Sequence, residues 1–215
     1  MKRVVILISG RGSNMEAILA AGLPLDLAAV ISNEPAAKGL ATAQAKGIAT
    51  AVVPHRAFAS REAFDAALGA AIDRHRPDFI VLAGFMRVLT RELVERYSGL
   101  MINIHPSLLP LFPGLHTHRR ALEAGVRVHG CSVHFVTPGL DSGPIIAQAA
   151  VPVHAGDTED TLAARVLEQE HRIYPQVLRW LAAGEVKLGA NGMTEFSGVA
   201  EASGALLSPA LTRHP

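Results

Sequence analysis

Hydrophobic and polar positions follow two periods along the chain. Short apolar, β-branched runs indicate buried strands, and alanine-rich segments with helical spacing lie between them. Strands are predicted at 4–8, 27–31, 49–53, 79–83, 101–104, 132–136 and 145–151. Helices are predicted at 14–21, 37–46, 61–75, 90–96 and 118–124. This alternation favours an α/β fold with a doubly wound, mostly parallel sheet and helices on both faces.

The pattern changes toward the end of the chain. A turn-rich loop around 138–143, rather than a helix, joins the last two strands and predicts an antiparallel C-terminal portion. A long final helix follows, with Asp157 as its predicted cap and Glu159 and Asp160 near the positive end of its dipole. We expect one domain over 1–187 and a loosely ordered tail over 188–215.

Composition limits the classes of function. The 215 residues are 49% hydrophobic and 18% charged, enough for one sizeable core. A net charge of +1 without a long basic run indicates no positively charged surface for binding nucleic acid or an anionic membrane. The single Cys131 excludes an internal disulfide and a cysteine-rich zinc site. The first apolar run is too short for a signal core or a membrane span, so we expect a cytoplasmic protein.

Two polar residues interrupt the strand predicted at 101–104. Asn103 and His105 stand at i and i+2, on the same side of the sheet, where Pro106 ends the strand. An amide can donate to a developing oxyanion and an imidazole can carry a proton near neutral pH, which together suit acyl-type transfer. The alternative is a buried Asn and His satisfied by neighbouring backbone groups.

A glycine-rich loop joins the first strand to the first helix. Its sequence, Ser9-Gly-Arg-Gly-Ser-Asn14, can present backbone N–H groups and a helix N-terminus to a phosphate. It lacks the Gly-Lys of a Walker loop, and Met15 replaces the third glycine of a dinucleotide fingerprint. Two alternatives remain: a plain capped turn, and an NAD-linked enzyme in which Glu34 binds a ribose.

Two further loops carry candidate residues. After the fourth strand, Met86, Val88 and Leu89 can line a flat apolar pocket and Arg87 can meet a carboxylate, although a plain strand-to-helix connection fits equally well. Asp141 lies in a turn-rich loop, where aspartate usually shapes the turn itself. If that loop folds back over His105, its carboxylate would favour the imidazolium form.

The remaining histidines give weaker signals. His116 and His118 stand two residues apart, but no thiol or carboxylate lies at ligand spacing, so no metal site is predicted. His134 lies in a strand and can face either the cleft of His105 or the core.

Five motifs connect these observations to a known family. In chain order they are Ser9-Gly-x-Gly-Ser-Asn14, Gly84-Phe-Met-Arg87, Asn103-Ile-His-Pro-Ser-Leu-Leu-Pro110, His129-Gly-Cys-Ser-Val-His-Phe135 and Leu140-Asp-Ser-Gly-Pro144. Together they closely resemble the phosphoribosylglycinamide formyltransferases, folate-dependent enzymes of purine synthesis. The resemblance covers about 2–187 and implies the formyltransferase-type Rossmann-like fold. The Asn-x-His-Pro-Ser-Leu-Leu-Pro motif alone also marks formyltetrahydrofolate hydrolases and methionyl-tRNA formyltransferases.

The resemblance implies a reaction and a catalytic set. The amine of glycinamide ribonucleotide would attack the formyl carbon of the co-substrate 10-formyltetrahydrofolate, with no metal. Asn103 and protonated His105 would meet the oxyanion of the tetrahedral intermediate, and Asp141 would support the charge of His105.

The resemblance also implies binding residues. The nucleotide phosphate would lie against Gly12, Ser13 and Asn14, and Glu170 would take the ribose hydroxyls. Leu167 stands where some relatives place Lys or Gln, which removes a possible polar contact to the phosphate. The folate set comprises Arg61 for the glutamate tail, together with Met86, Arg87, Val88, Leu89, Asn103, Val136, Thr137, Gly139 and Leu140.

Two other function classes stay open at this point. A hydrolase would use the same catalytic set and differ only in its acceptor site. A non-catalytic nucleotide-binding module would need the glycine-rich loop but not Asn103 and His105. The expected partners are small molecules only, with no nucleic acid or membrane, and the protein is expected to be a monomer or a homodimer.

Overall fold

A computed structural model describes residues 1–209 of the chain. Its first seven strands are β1 (Lys2–Ile8), β2 (Leu25–Ser32), β3 (Thr50–Val52), β4 (Phe79–Leu82), β5 (Met101–His105), β6 (Val128–Phe135) and β7 (Ile145–Pro152). Its helices are α1 (Ser13–Ala20), α2 (Lys38–Ala45), α3 (Arg61–Asp73), α4 (Arg91–Arg96), α5 (Thr117–Glu123) and α6 (Glu159–Ala183), with a 3-10 turn at His55–Ala57. Two short strands follow, β8 (Val186–Leu188) and β9 (Thr194–Phe196).

The seven main strands form one sheet in the order β3-β2-β1-β4-β5-β6-β7. Strands β1 to β5 run parallel, β6 is antiparallel to β5, and β7 is antiparallel to β6. The predicted fold class is therefore confirmed, including its antiparallel C-terminal portion. The direction of strand addition reverses at β1, which has β2 on one side and β4 on the other. Such a reversal opens a crevice at the carboxyl ends of the two strands, where α/β sheets bind ligands.

The core has an apolar layer on each face of the sheet. Strand β1 contributes to both, because alternate side chains of a strand point to opposite faces. Ile6 and Ile8 pack in the layer that contains Tyr174 of α6. Val5 and Leu7 pack in the layer that contains Phe64 of α3. A parallel sheet buried on both sides explains why its strands read as continuous apolar runs.

The start of α6 differs from the prediction by one residue. Thr158, not Asp157, is the N-cap: its side chain accepts a hydrogen bond from the backbone N–H of Thr161. Asp157 instead receives two hydrogen bonds from the guanidinium of Arg165, at 2.7 and 2.8 Å. That ion pair holds the pKa of Asp157 well below its usual range. The carboxylate was wrongly predicted as the cap because Arg165, two turns along the helix, competes for it.

The chain after α6 also corrects the expectation of a loosely ordered tail from residue 188. Strands β8 and β9 pair as an antiparallel hairpin. Thr194 fixes the hairpin to the main sheet, since its hydroxyl donates to the carbonyl of Ile145 at 2.8 Å. Positions 197–209 contain neither helix nor strand, and the last six positions of the predicted tail lie outside the described residues. No helix within 1–209 combines the length and apolarity needed to cross a membrane.

Candidate active site

A cleft of about 620 Å³ opens at the carboxyl ends of β4 and β5. Most of its walls come from four segments: 84–89 after β4, 103–106 at the end of β5, 114–118 at the start of α5, and 136–141 after β6. The cleft thus lies beside the crevice that the strand order creates. It brings together residues from four of the stretches that the sequence singled out.

Asn103 and His105 both line this cleft from β5. Their spacing of two residues sends them to the same side of the sheet. The His105 ring is nearly buried, at 5% exposure, whereas Asn103 is partly accessible. Asn103 pairs in register with His134 of β6, and His105 pairs with Ser132. Strand β6 is therefore the strand neighbour of both residues.

Asp141 reaches His105 because the loop after β6 folds back over β5. Its Oδ2 lies 3.4 Å from Nδ1 of His105, and Nε2 of that ring lies 3.0 Å from the carbonyl oxygen of Phe112. Both ring nitrogens thus face acceptors, so the imidazolium form satisfies both contacts. The same Asp141 oxygen accepts a hydrogen bond from the backbone N–H of Gly114 at 2.8 Å. The arrangement suits a charged histidine at the base of the cleft.

His134 sets the orientation of Asn103. Its ring is 2% exposed on the cleft wall, and burial lowers its pKa, so the ring is neutral at pH 7. The Nδ1–H group donates to the carbonyl of Phe135 at 2.9 Å, which leaves Nε2 as an acceptor. Nδ2 of Asn103 donates to that Nε2 at 3.2 Å. The amide group therefore presents a defined face, with its second N–H uncommitted among the contacts of residues 1–209.

The glycine-rich loop lies at the end of β1, beside the cleft. Gly12 has φ +80° at the N-terminus of α1, and a Cβ there would meet the Cα of Gly39 at 3.2 Å. Only glycine fits this close approach without strain. Ser13 begins α1 directly after it. Ser9 joins the loop to the cleft wall, because its Oγ accepts from the backbone N–H of Met86 at 2.8 Å.

A buried carboxylate lies against this loop. Nδ2 of Asn14 donates to Oε2 of Glu170, from α6, at 2.7 Å. The two side chains are only 8% and 7% exposed. Burial raises the pKa of Glu170, and the hydrogen bond from Asn14 lowers it by less. Oδ1 of Asn14 is buried without a partner among the described residues. Together they form a buried polar pair whose oxygens can accept hydrogen bonds.

The other sequence-predicted residues fall into two groups. Met86, Arg87, Val88, Leu89, Val136, Thr137, Gly139 and Leu140 all line the cleft. The Arg87 guanidinium stacks 5.6 Å from the ring centroid of Phe64, which holds it at the wall. Arg61 is different: it is exposed at the first position of α3 and does not line the cleft.

Three further residues contribute to the site. Phe112 contributes a carbonyl oxygen, which no side-chain pattern reveals. His118 and Glu159 line the cleft from α5 and the start of α6. The alternation of apolar and polar positions gave no signal for them, because they meet the site only through the packing of α5 on α6.

Two alternative sites have no support in the geometry. Glu34, the candidate ribose ligand of an NAD-linked enzyme, lies 3.5 Å from Nδ1 of His55 and 3.8 Å from the guanidinium of Arg56. Within residues 1–209, no three His, Cys, Asp or Glu side chains converge closely enough to hold a metal ion, so His116 and His118 gain no third ligand.

Comparison with known proteins identifies the family. Residues 2–178 match the formyl transferase family. The chain is 54% identical to the phosphoribosylglycinamide formyltransferase of Escherichia coli (strain K12) over 192 residues, covering 87% of this chain and 91% of that protein. The solved structure of the Coxiella burnetii phosphoribosylglycinamide formyltransferase superposes with a TM-score of 0.88 at 50% identity, covering 92% of this chain and 94% of that one.

A second solved structure extends the likeness. The phosphoribosylglycinamide formyltransferase of Brucella melitensis is 57% identical, with a TM-score of 0.80 over 85% of this chain and 96% of that one. Identity at this level over most of both chains extends to the activity as well as the fold. The chain belongs to the formyl transferase family and, within it, to the phosphoribosylglycinamide formyltransferases.

Proposed function

We propose that this protein transfers the formyl group of 10-formyltetrahydrofolate to the amine of glycinamide ribonucleotide, a step of purine synthesis. The observation that carries the proposal is the convergence of Asn103, His105 and Asp141 in one cleft of a family member. The loop at Gly12 and the Asn14–Glu170 pair provide a separate polar site beside that cleft. Two adjoining sites suit a reaction with two substrates.

The mechanism follows from the side chains. The amine attacks the formyl carbon, a C–N bond forms, and the carbonyl oxygen becomes an oxyanion. The free N–H of Asn103 and the positive charge of His105 stabilise that oxyanion. Asp141 holds the charge of His105 and, through water, helps to move a proton from the attacking amine to the departing folate nitrogen. Collapse of the intermediate breaks the bond to that nitrogen. No covalent enzyme intermediate is required.

The binding roles follow the same geometry. Gly12, Ser13 and Asn14 would hold the phosphate through backbone and side-chain donors at the start of α1. Glu170 would accept hydrogen bonds from the ribose hydroxyls. These bonds would replace the contacts with water that its carboxylate loses on burial. The segments 86–89 and 136–140 would enclose the folate ring system. The role of Arg61 in binding the glutamate tail stays a prediction, and it lies outside the cleft lining.

The hydrolase alternative is not supported. The bacterial relatives and solved structures that the chain matches over nearly their whole length carry the transferase name. The buried Glu170 beside the glycine-rich loop also gives the transferase an acceptor site that water would not need. A non-catalytic nucleotide-binding module would not need the contact of Asn103 with His134 or that of His105 with Asp141. Whether the protein is a monomer or a homodimer stays a prediction.

The test is a spectroscopic formyl-transfer assay with 10-formyltetrahydrofolate, run with glycinamide ribonucleotide and with buffer alone. The proposal predicts equimolar tetrahydrofolate and formylated nucleotide in the first reaction and no turnover in the second. Equal turnover in both reactions would make the protein a hydrolase. No turnover in either would refute the catalytic assignment.

A further inference from the structure

The backbone of residues 112–116 contacts two members of the catalytic set. The Phe112 carbonyl accepts from Nε2 of His105 at 3.0 Å, and the Gly114 N–H donates to Oδ2 of Asp141 at 2.8 Å. A shift of this short segment would therefore move the partners of His105 and Asp141 together. Both contacts use backbone atoms of the segment, so neither depends on one of its side chains.

This segment has an unfavourable backbone. Phe112 has φ +53° and His116 has φ +57°, in the left-handed region that residues other than glycine seldom adopt. This conformation is unfavourable for both residues, so surrounding contacts must hold it. Asp141 also has a left-handed backbone conformation, with φ +47°. The catalytic geometry thus depends on an anchor for the 112–116 segment.

Arg120 of α5 provides such an anchor. Its Nη1 donates to the carbonyl oxygen of Pro113 and, at 3.5 Å, to that of Leu115. These two carbonyls flank Gly114. The guanidinium also lies 5.6 Å from the ring centroid of Phe112, and the ring of His129 meets the same Phe112 edge-on at 5.9 Å. One side chain therefore contacts Phe112, Pro113 and Leu115.

We propose that Arg120 is a positioning residue for formyl transfer, acting through the 112–116 segment on His105 and Asp141. The inference rests on the proposed function. Arg120 does not line the cleft, so it contributes to turnover without contacting a substrate. Arginine suits the role because its planar guanidinium can donate to carbonyls and stack on an aromatic ring at once, whereas lysine offers only a point charge.

The kinetic test compares Arg120→Met, Arg120→Lys and Arg119→Met. Arg119 is the matched control, since it precedes Arg120 on α5 and pairs with Glu159 of α6. Arg120→Met is expected to lower kcat about tenfold or more, because small misplacements of catalytic groups cost that much or more. The KM of both substrates should stay within about threefold. Arg120→Lys should fall between Arg120→Met and the parent, and Arg119→Met should match the parent.

A second measurement separates this inference from the proposed function. The ring ¹⁵N signals of His105, assigned through their loss in His105→Gln, are expected to move in Arg120→Met and to stay in place in Arg119→Met. Unchanged ring signals in Arg120→Met, a kcat within twofold of the parent, or an equal loss in Arg119→Met would overturn the positioning role. If the parent fails to transfer the formyl group, the proposed function fails, and the ring signals alone decide the role of Arg120.

Discussion

Asn14 and Glu170 stand 156 residues apart in the chain and share a buried hydrogen bond of 2.7 Å. The pair joins the N-terminal loop of the sheet to the helix that closes the domain. Burial raises the pKa of Glu170, so ionising this carboxyl costs more in the folded protein than in the unfolded chain. Such a cost is expected where a carboxylate is kept for a ligand rather than for stability.

Glu170→Gln should therefore stabilise the protein and weaken nucleotide binding. The folded protein binds more protons than the unfolded chain between the usual glutamate pKa and the raised one, so the glutamate destabilises the fold as pH rises through that range. At pH 7 we expect the variant to unfold about 2–4 °C higher. The KM for the ribonucleotide should rise about tenfold, with a smaller change in kcat. A calorimetric scan and steady-state kinetics measure both effects.

The stability gain of Glu170→Gln should shrink as the pH is lowered toward 4.5, because the raised pKa lets the folded parent bind the proton and an ionised carboxylate no longer has to be buried. Glu168→Gln, two residues earlier on the exposed face of α6, is the matched control. A variant of Glu170 with an unchanged KM for the ribonucleotide would remove this carboxylate from the nucleotide site.

Asp141→Asn tests the carboxylate beside His105. The residue has φ +47°, which asparagine tolerates better than most residues, and the new side chain still offers an oxygen to the N–H of Gly114. Only the negative charge facing His105 is lost. We expect kcat to fall about a hundredfold with little change in the unfolding temperature. A kcat close to that of the parent would exclude Asp141 from the mechanism.

His134 is expected to act through Asn103. His134→Phe removes the acceptor of the amide N–H while keeping the volume of a ring that is nearly fully buried. The amide of Asn103 would then lose its fixed orientation, and we expect kcat to fall about tenfold. His134→Gln keeps an acceptor and should retain more activity. Equal activity of the two variants would show that the hydrogen bond to Asn103 does not matter for turnover.

The buried ring of His129 is expected to make the protein less stable in acid. Its ring is 1% exposed between Phe112 and His118, and burial lowers its pKa to about 4. The unfolded chain takes up this proton near pH 6.5, so it binds more protons than the native state between about pH 6.5 and 4. Stability is therefore lost as the pH falls through that range, by up to about 1.4 kcal/mol per pH unit for this residue.

His129→Phe should reduce that loss. Urea unfolding at pH 7 and pH 4.5 gives the drop in stability for each protein. The drop should be about 2–3 kcal/mol smaller in the variant, because phenylalanine takes up no proton. His154→Phe, at an exposed position, should behave like the parent. An equal drop in the His129 variant and the parent would show that His129 is protonated in the native state above pH 4.5.

The sequence predicted those features that depend on local pattern. Apolar runs and helical spacing located all seven strands of the main sheet and six helices, because a sheet buried on both faces requires such runs. The spacing of Asn103 and His105 predicted their common side of the sheet, since strand geometry alone determines it. The turn-rich loop of Asp141 left its contact with His105 conditional, and motif resemblance implied that contact and added Glu170, which periodicity could not have connected to the site.

Features that depend on contacts between distant parts of the chain could not be predicted from local sequence patterns. Asp157 has the local sequence of a helix cap, but its carboxylate binds Arg165 two turns along α6. The hairpin at Thr194 depends on a carbonyl of β7, 49 residues earlier in the chain. The acceptor for His105 is a backbone atom of Phe112, and its position follows from the path of a short loop. Each of these required knowing which distant groups meet.

The most direct test of the account is the kcat of Asn103→Ala, measured together with the dissociation constants of 10-formyltetrahydrofolate and glycinamide ribonucleotide. Asn103 lines the cleft and donates to His134, so the substitution removes the proposed oxyanion donor without emptying a core position. The proposed mechanism predicts a loss of kcat of about a hundredfold or more, with both dissociation constants within about threefold. Full kcat in this variant would contradict the assignment of the oxyanion donor and, with it, the proposed mechanism.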